Sequence, residues 1–244
     1  MNNYKEQMPE IVNIDINDKG YPEKLKMIFG SKAPALYLQG NTELLNTHSI
    51  GFCGSRNSSP KGKDAVRDCA SQAAKNNIII VSGNASGIDF EAHYNALFSG
   101  GATILVLPEG INHFRIKKAL KPVWDWNRCL VISQFLPDDT WKIYRAMTRN
   151  KLIIALSGAM IVIEAGEKGG TMNAGLETLK TNVPLYVAEY QDMSEIAKGN
   201  KKLLDMGAKR IAKNRQTGKA NMNHLYHDIF DPPTSTSSEQ LVFL

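Results

Sequence analysis

The chain has 244 residues, 43% hydrophobic and 22% charged, an ordinary globular composition with room for a sizeable core in one or two domains. A formal charge of +5 favours polyanionic partners without requiring them. The start of the chain lacks the pattern of a signal peptide, and the longest apolar region, 152–163, is interrupted by Ser157 and Gly158, so a cytoplasmic protein without a membrane span is expected.

The first 48 residues, with Tyr21-Pro22 and Ala33-Pro34, are irregular and read as a lead-in that packs on the domain. From Ser49 the pattern alternates: strand 49–54, helix 62–75, strand 78–81, helix 88–98, strand 103–107, strand 129–132 and a long helix 143–156. Strand 160–163, helix 173–179, strand 185–187 and a last helix over 194–206 follow. The strands are short, β-branched runs without in/out alternation, as in a parallel sheet covered on both faces. The fold class is therefore α/β, a doubly wound, mostly parallel sheet of extended Rossmann-like type over residues 49–212. Residues 213–244 read as a tail, first basic and then rich in Pro, Ser and Thr, with order fading after about Lys213. Cys53, Cys69 and Cys129 form no C-x-x-C pair and read as buried thiols, so neither a metal nor a cofactor is expected.

Ligands of such sheets bind at the carboxyl ends of strands, where the strand order reverses. The first strand ends in Gly54, Ser55 and Arg56, and Pro60-Lys61-Gly62 opens the next helix, an arrangement of free N–H groups and a guanidinium suited to phosphate. The second ends in Ser82, Gly83 and Gly87, with Asp89 in the following helix as cap or contact, and His93 as a contact or as a neighbour of Asp89. A third cluster joins Arg149, Asn150 and Lys151 in the long helix to Glu164 and the Gly169, Gly170, Thr171 nest after the next strand. A nicotinamide site would need G-x-G-x-x-G at the first turn, which this chain lacks. Trp141 and Tyr144 lie beside the third cluster in sequence and are expected to pack in the core. Residues 198–219 hold eight Lys/Arg against one acid, Asp205, and read as a basic surface or a solvated face.

These segments together resemble the DprA/Smf family of DNA-processing proteins. The match runs from Tyr21-Pro22, Leu36-Tyr37 and Gly40 through Gly54-Ser55-Arg56 and Ser82-Gly83-x-Ala85-x-Gly87-Ile88-Asp89. It continues through Ala92-His93, Arg149-Asn150-Lys151, Val162-x-Glu164-Ala165, Gly199-Asn200 and Gly207-Ala208. The resemblance implies a single-stranded DNA binder without catalytic turnover, a homodimer that hands strands to the RecA recombinase in natural transformation. Departures are Lys151 for the family's second arginine, Gly169-Gly170-Thr171 for Ser-Gly-Ser, and Ala188-Glu189-Tyr190 for a proline-glycine. The LOG-type nucleoside-monophosphate phosphoribohydrolases share the fold and are the competing enzyme class, with Glu164 and Glu177 as candidate carboxylates. A nucleotide-sensing domain is a third option. Finally, Gln240, Leu241, Phe243 and Leu244 resemble the short motif by which DNA-repair proteins hold the sliding clamp, with the last two positions exchanged.

Overall fold

β-branched runs without polar alternation have to be covered on both faces, and in this chain they are. The computed structural model describes residues 8–190 and 197–231. In chain order its elements are β1 (Ile11–Ile14), α1 (Glu23–Phe29), β2 (Leu36–Gly40), β3 (Ser49–Cys53), α2 (Pro60–Lys75), β4 (Ile79–Gly83), α3 (Ile88–Phe98) and β5 (Thr103–Val106). Then come β6 (Cys129–Ser133), α4 (Ile143–Leu156), β7 (Ala159–Val162), α5 (Gly170–Leu179), β8 (Leu185–Ala188), α6 (Lys198–Asp205), β9 (Lys209–Ile211) and α7 (Asn223–Phe230).

The strands form one sheet in the order β1-β2-β6-β5-β4-β3-β7-β8-β9. From β6 to β9 all neighbours are parallel, whereas β1 with β2 and β2 with β6 are antiparallel. The order reverses between β3 and β7. One face carries α1, α4, α5 and α6 over a core that includes Leu25, Leu152, Ile154 and Leu203. The other carries α2, α3 and α7 over Val66, Ala70, Ile88, Ala92 and Leu225. A satellite cluster of Leu107, Phe114, Leu120 and Trp124 fills the long connection between β5 and β6.

Two expectations are corrected. Residues 8–48 are not a lead-in but bring two strands into the sheet: β2 pairs with β6 from Tyr37↔Ser133 to Gly40↔Leu130, burying Leu36 and Leu38. Prolines and a short helix interrupt this segment, so no period of two is visible along it. Lys24 of α1 donates to the Leu156 carbonyl at the C-terminus of α4, where a cation complements the helix dipole. Burial pulls its ammonium down to about 8. Order also continues past Lys213. Leu225 and Ile229 of α7 are buried, and Asp228 accepts from the Tyr186 hydroxyl and from Lys209, both at 2.6 Å. The eight-residue length of α7 and its His and Asn residues hid it. The clamp-like segment 240–244 and the start of the predicted helix 194–206 lie outside the described residues.

Asn200 closes the carboxyl edge of β7 and β8. Its wholly buried amide accepts from Ala165 N at 2.7 Å and donates to the Ile163 and Ala188 carbonyls, each at 2.8 Å. Asn200→Ala takes this partner from Ala165 N and the Ala188 carbonyl, while the Ile163 carbonyl keeps the Tyr190 hydroxyl at 3.2 Å; each buried group left unsatisfied costs about 1–3 kcal/mol before relaxation. We expect a net loss of roughly 2–4 kcal/mol, read in urea unfolding as a lower midpoint with an unchanged m-value.

Candidate nucleic-acid interface

The crevice where the strand order reverses is already filled. Glu164, two residues past β7 and 1% exposed, turns its carboxylate to the start of α2, accepting from Ser59 N at 2.9 Å and from the Ser59 hydroxyl. Ser59 is the N-cap of α2, and its hydroxyl oxygen also accepts from Gly62 N at 3.0 Å. A Cβ at Gly62 would stand 2.5 Å from the Glu164 carboxyl carbon. The N-terminus of α2, expected to bind phosphate, thus holds an internal carboxylate in the anion's place.

The open site lies beside it, over the ends of β3, β4 and β5. A cavity of about 240 Å³ is lined by Arg56 from the β3 loop, Asn84, Ala85 and Ser86 from the β4 loop, Pro108 and Glu109 after β5, and Trp141, Ala146 and Arg149 from α4 and its approach. The β3 and β4 loops are fastened together. Ile88 N donates to the Ser55 carbonyl at 3.1 Å, and Gly87, at φ +71°, passes so close to the Ser55 and Arg56 carbonyls that no side chain fits. Gly54 likewise packs against Ile88, and the Ser55 hydroxyl accepts from Asn57 N at 3.1 Å. Arg56 itself is exposed, and no hydrogen bond or ion pair engages its guanidinium among the described residues.

Arg149 is different. It is 6% exposed, its Nη1 donates to the Val106 carbonyl at 2.8 Å, and its Nε has no partner. Its guanidinium lies against Gly83, in the space that a Cβ would occupy, and the Asp89 carboxylate is 2.5 Å from the same point. Burial pushes the Asp89 carboxyl up, while Arg149, the Ala85 N–H and the Ser82 hydroxyl oppose that shift. Burial pulls the Arg149 guanidinium down, and Asp89 restrains it. Arg149, expected as an open phosphate contact, and Asp89, expected as a cap or a contact, are instead two buried charges that act on each other across space at the Gly83 position.

Two further expected contacts are internal. Ser82 is fully buried and donates to the Phe52 carbonyl at 2.7 Å. His93 is fully buried, with Nε2 2.8 Å from the Gly83 carbonyl and Nδ1 2.6 Å from the Thr103 hydroxyl. Burial pushes its pKa down to about 4, so the neutral ring donates through Nε2 and braces the β4 loop from behind. Asn150 and Lys151 face a second cavity, of about 430 Å³, between α4 and α5. The start of α5 stands open nearby in sequence: nothing lies within 4 Å of a Cβ built at Gly169 or Gly170, Gly169 has φ +106°, and Thr171 is half-buried.

Two residues at the first cavity, Lys117 and Glu109, carry no sign of it in the sequence. Lys117 donates to the Asn84 and Ala85 carbonyls at 2.7 and 2.9 Å and tethers the β4 loop. Glu109 lines the cavity. Trp141, expected in the core, is 50% exposed, and Tyr144 is exposed as well. A loop residue with no periodic neighbours gives no local sign of such a role; a large aromatic just before an exposed first helical turn was the one available cue. The basic run of α6 and β9 behaves as a solvated face, with Lys201, Lys202, Lys209 and Arg210 paired to Asp205, Glu167, Asp228 and Glu189.

An open parallel sheet with cationic and glycine-lined loops at its carboxyl edge defines a Rossmann-like α/β protein. Residues 13–220 match the family model of DNA recombination-mediator protein A, and the chain belongs to that DprA/Smf family. It is 30% identical over 210 residues to DNA processing protein DprA of Bacillus subtilis, covering 85% of this chain and 70% of the relative. The crystal structure of DprA from Streptococcus pneumoniae superposes with a TM-score of 0.74 at 30% identity, over 82% of this chain and 71% of that one. DprA of Helicobacter pylori, whose single-stranded DNA binding mode is described, superposes at 0.71 with 27% identity, over 83% and 91% of the two chains.

Arg149→Met removes the cation that offsets the buried Asp89 carboxylate and leaves the Val106 carbonyl without this donor, and we expect a loss of about 1–3 kcal/mol at neutral pH. Without Arg149 the folded-state pKa of Asp89 rises further above its unfolded value. The folded state then holds a proton that the unfolded chain releases, so the variant's stability falls as pH rises through that window. The deficit should shrink as pH is lowered toward the unfolded carboxylate range, and Asp89→Asn combined with Arg149→Met should recover much of it. Unfolding curves across pH check both expectations.

Proposed function

We propose that this protein binds single-stranded DNA through its phosphates and splayed bases, as a DNA-processing protein and not as a nucleotide hydrolase. The observation that carries this reading is the meeting in one cavity of the exposed Arg56, whose guanidinium has no partner among the described residues, the buried cation of Arg149, and the exposed Trp141. A single strand requires this combination: cations for the backbone and a flat apolar surface for unstacked bases. A duplex keeps its bases stacked and leaves the indole without a partner. From Trp141 the exposed Ile143, Tyr144 and Met147 lead along the first turns of α4 to the second cavity, where Asn150 and Lys151 continue the track. The open start of α5, with Gly169, Gly170 and Thr171, is a further phosphate contact. The single-stranded DNA binding mode of the H. pylori relative supports the same assignment.

The phosphoribohydrolase alternative needs a free carboxylate against a ribose. Glu164 is engaged at the start of α2, and Glu177 pairs with Lys180 at 2.8 Å. On the family resemblance we assign the finer role as well: a cytoplasmic homodimer that passes the bound strand to the RecA recombinase.

Mobility shifts across a salt series test the binding. The expected result is a clear preference for single strands over duplex. Arg56→Ala should weaken binding to all sequences and flatten the log K against log salt slope by about 0.7. Trp141→Ala should cost about tenfold in affinity through lost stacking, with the salt slope nearly unchanged. Equal affinity for duplex and single strand, or release of free adenine from adenosine monophosphate, overturns the proposal.

A further inference from the structure

Glu109 is out of place in a phosphate site. It is a half-buried carboxylate that lines the same cavity as Arg56 and Arg149, and a negative charge there weakens the attraction for a polyanion. A bland role would be to neutralise the neighbouring cations by contact. It does not do so: Arg149 and Lys117 act on Glu109 only across space, and no hydrogen bond or ion pair engages its carboxylate among the described residues. Both cations donate elsewhere, Arg149 to Val106 O and Lys117 to Asn84 O and Ala85 O. The carboxylate lone pairs are therefore available to a ligand.

Its position is also rigid. The Glu109 carbonyl accepts from the buried Ser133 hydroxyl at 2.7 Å, and Gly110 N donates to the Asp139 carbonyl at 2.7 Å. Asn112 N donates to the Pro137 carbonyl at 3.0 Å, and a Cβ at Gly110 would collide with the Leu136 and Pro137 carbonyls. The loop bearing Glu109 and the approach to α4 bearing Trp141 are thus bonded into one unit. Trp141 can take the face of a base while Glu109, fixed relative to it, addresses that base's edge. The cavity, about 240 Å³, lies below the roughly 300 Å³ at which drug-sized ligand pockets begin, a size suited to one nucleotide unit.

On the reading of this cavity as a single-stranded DNA site, we infer that Glu109 is a specificity-determining residue that makes the pocket prefer guanine. Guanine presents two adjacent donors, N1–H and the N2 amino group, to a carboxylate that accepts both, while cytosine and adenine each offer one amino group. Thymine offers a single N–H flanked by two carbonyl oxygens, which a carboxylate repels. The expected order is guanine, then cytosine and adenine, then thymine.

The test measures binding of the full chain to a thymidylate strand of about ten nucleotides, within the site size of single-strand binders, and to the same strand with one central guanine, adenine or cytosine. The guanine strand should bind about tenfold tighter than the all-thymine strand. Glu109→Gln, which keeps size and removes charge, should collapse that ratio to below about twofold, by weakening the guanine strand and strengthening the thymine one. An increase in affinity for all four strands by the same factor, with their ratios kept, would make Glu109 a mere electrostatic offset and overturns the inference. Wild-type binding without any guanine preference overturns it too, while leaving the single-strand reading intact. Failure of every strand to bind removes both.

Discussion

The guanidinium of Arg149 lies beneath the loops that end β4 and β5, where a cation has to be compensated from every side. Asp89 supplies the charge, the Val106 carbonyl accepts one donor, and Gly83 leaves the space. Three loops and α4 take their relative positions from this arrangement. Replacing any of its members by a larger or apolar side chain leaves the others buried and unsatisfied. The residues that look like ligands in sequence, Ser82, Asp89 and His93, are the framework that holds this cation and the β4 loop. What reaches the solvent is the outer layer that they position, Arg56 and Trp141, with Arg149 lining the same cavity.

Glu164 imposes a second constraint. By capping α2 it closes the crevice at the strand-order reversal, the usual ligand position of an open α/β sheet. The open cavity lies instead toward β4 and β5, with α4 contributing Ala146 and Arg149 to its lining. A carboxylate built into the helix start gives the stabilisation that a bound phosphate would give, and it does so permanently. Fold class alone would therefore point to a crevice that Glu164 already fills.

The alternation of apolar runs and helical patterns made the parallel part of the sheet legible, because residues buried on both faces carry a strong, local signal. The elements at 49–54, 88–98, 143–156 and 185–187 form with almost the expected ends. The antiparallel pair β1–β2 and helix α7 were illegible. Their identity comes from long-range partners, β6 and β8, and not from their own short and interrupted patterns. The site was half legible. Glycines and basic residues at strand ends marked the edge of the sheet where the candidate cavity opens, but nothing in a one-dimensional spacing separates Arg56, which is exposed, from Arg149, which is buried. Glu109, Lys117 and Trp141 come from irregular connections, and only the folded chain brings them to one cavity.

The pairing of β2 with β6 also bears on how the chain assembles. Tyr37 is partnered with Ser133, so a strand made early has to wait for one made much later. Until β6 is in place, β2 has only β1 as a sheet neighbour, and Leu36 and Leu38 lack their cover. Closing so long a loop costs entropy that only a nearly formed sheet can repay. During synthesis this segment therefore emerges well before β6 and is stabilised only after it. In that interval its unpaired strand is the portion of the chain most open to pairing with a neighbour.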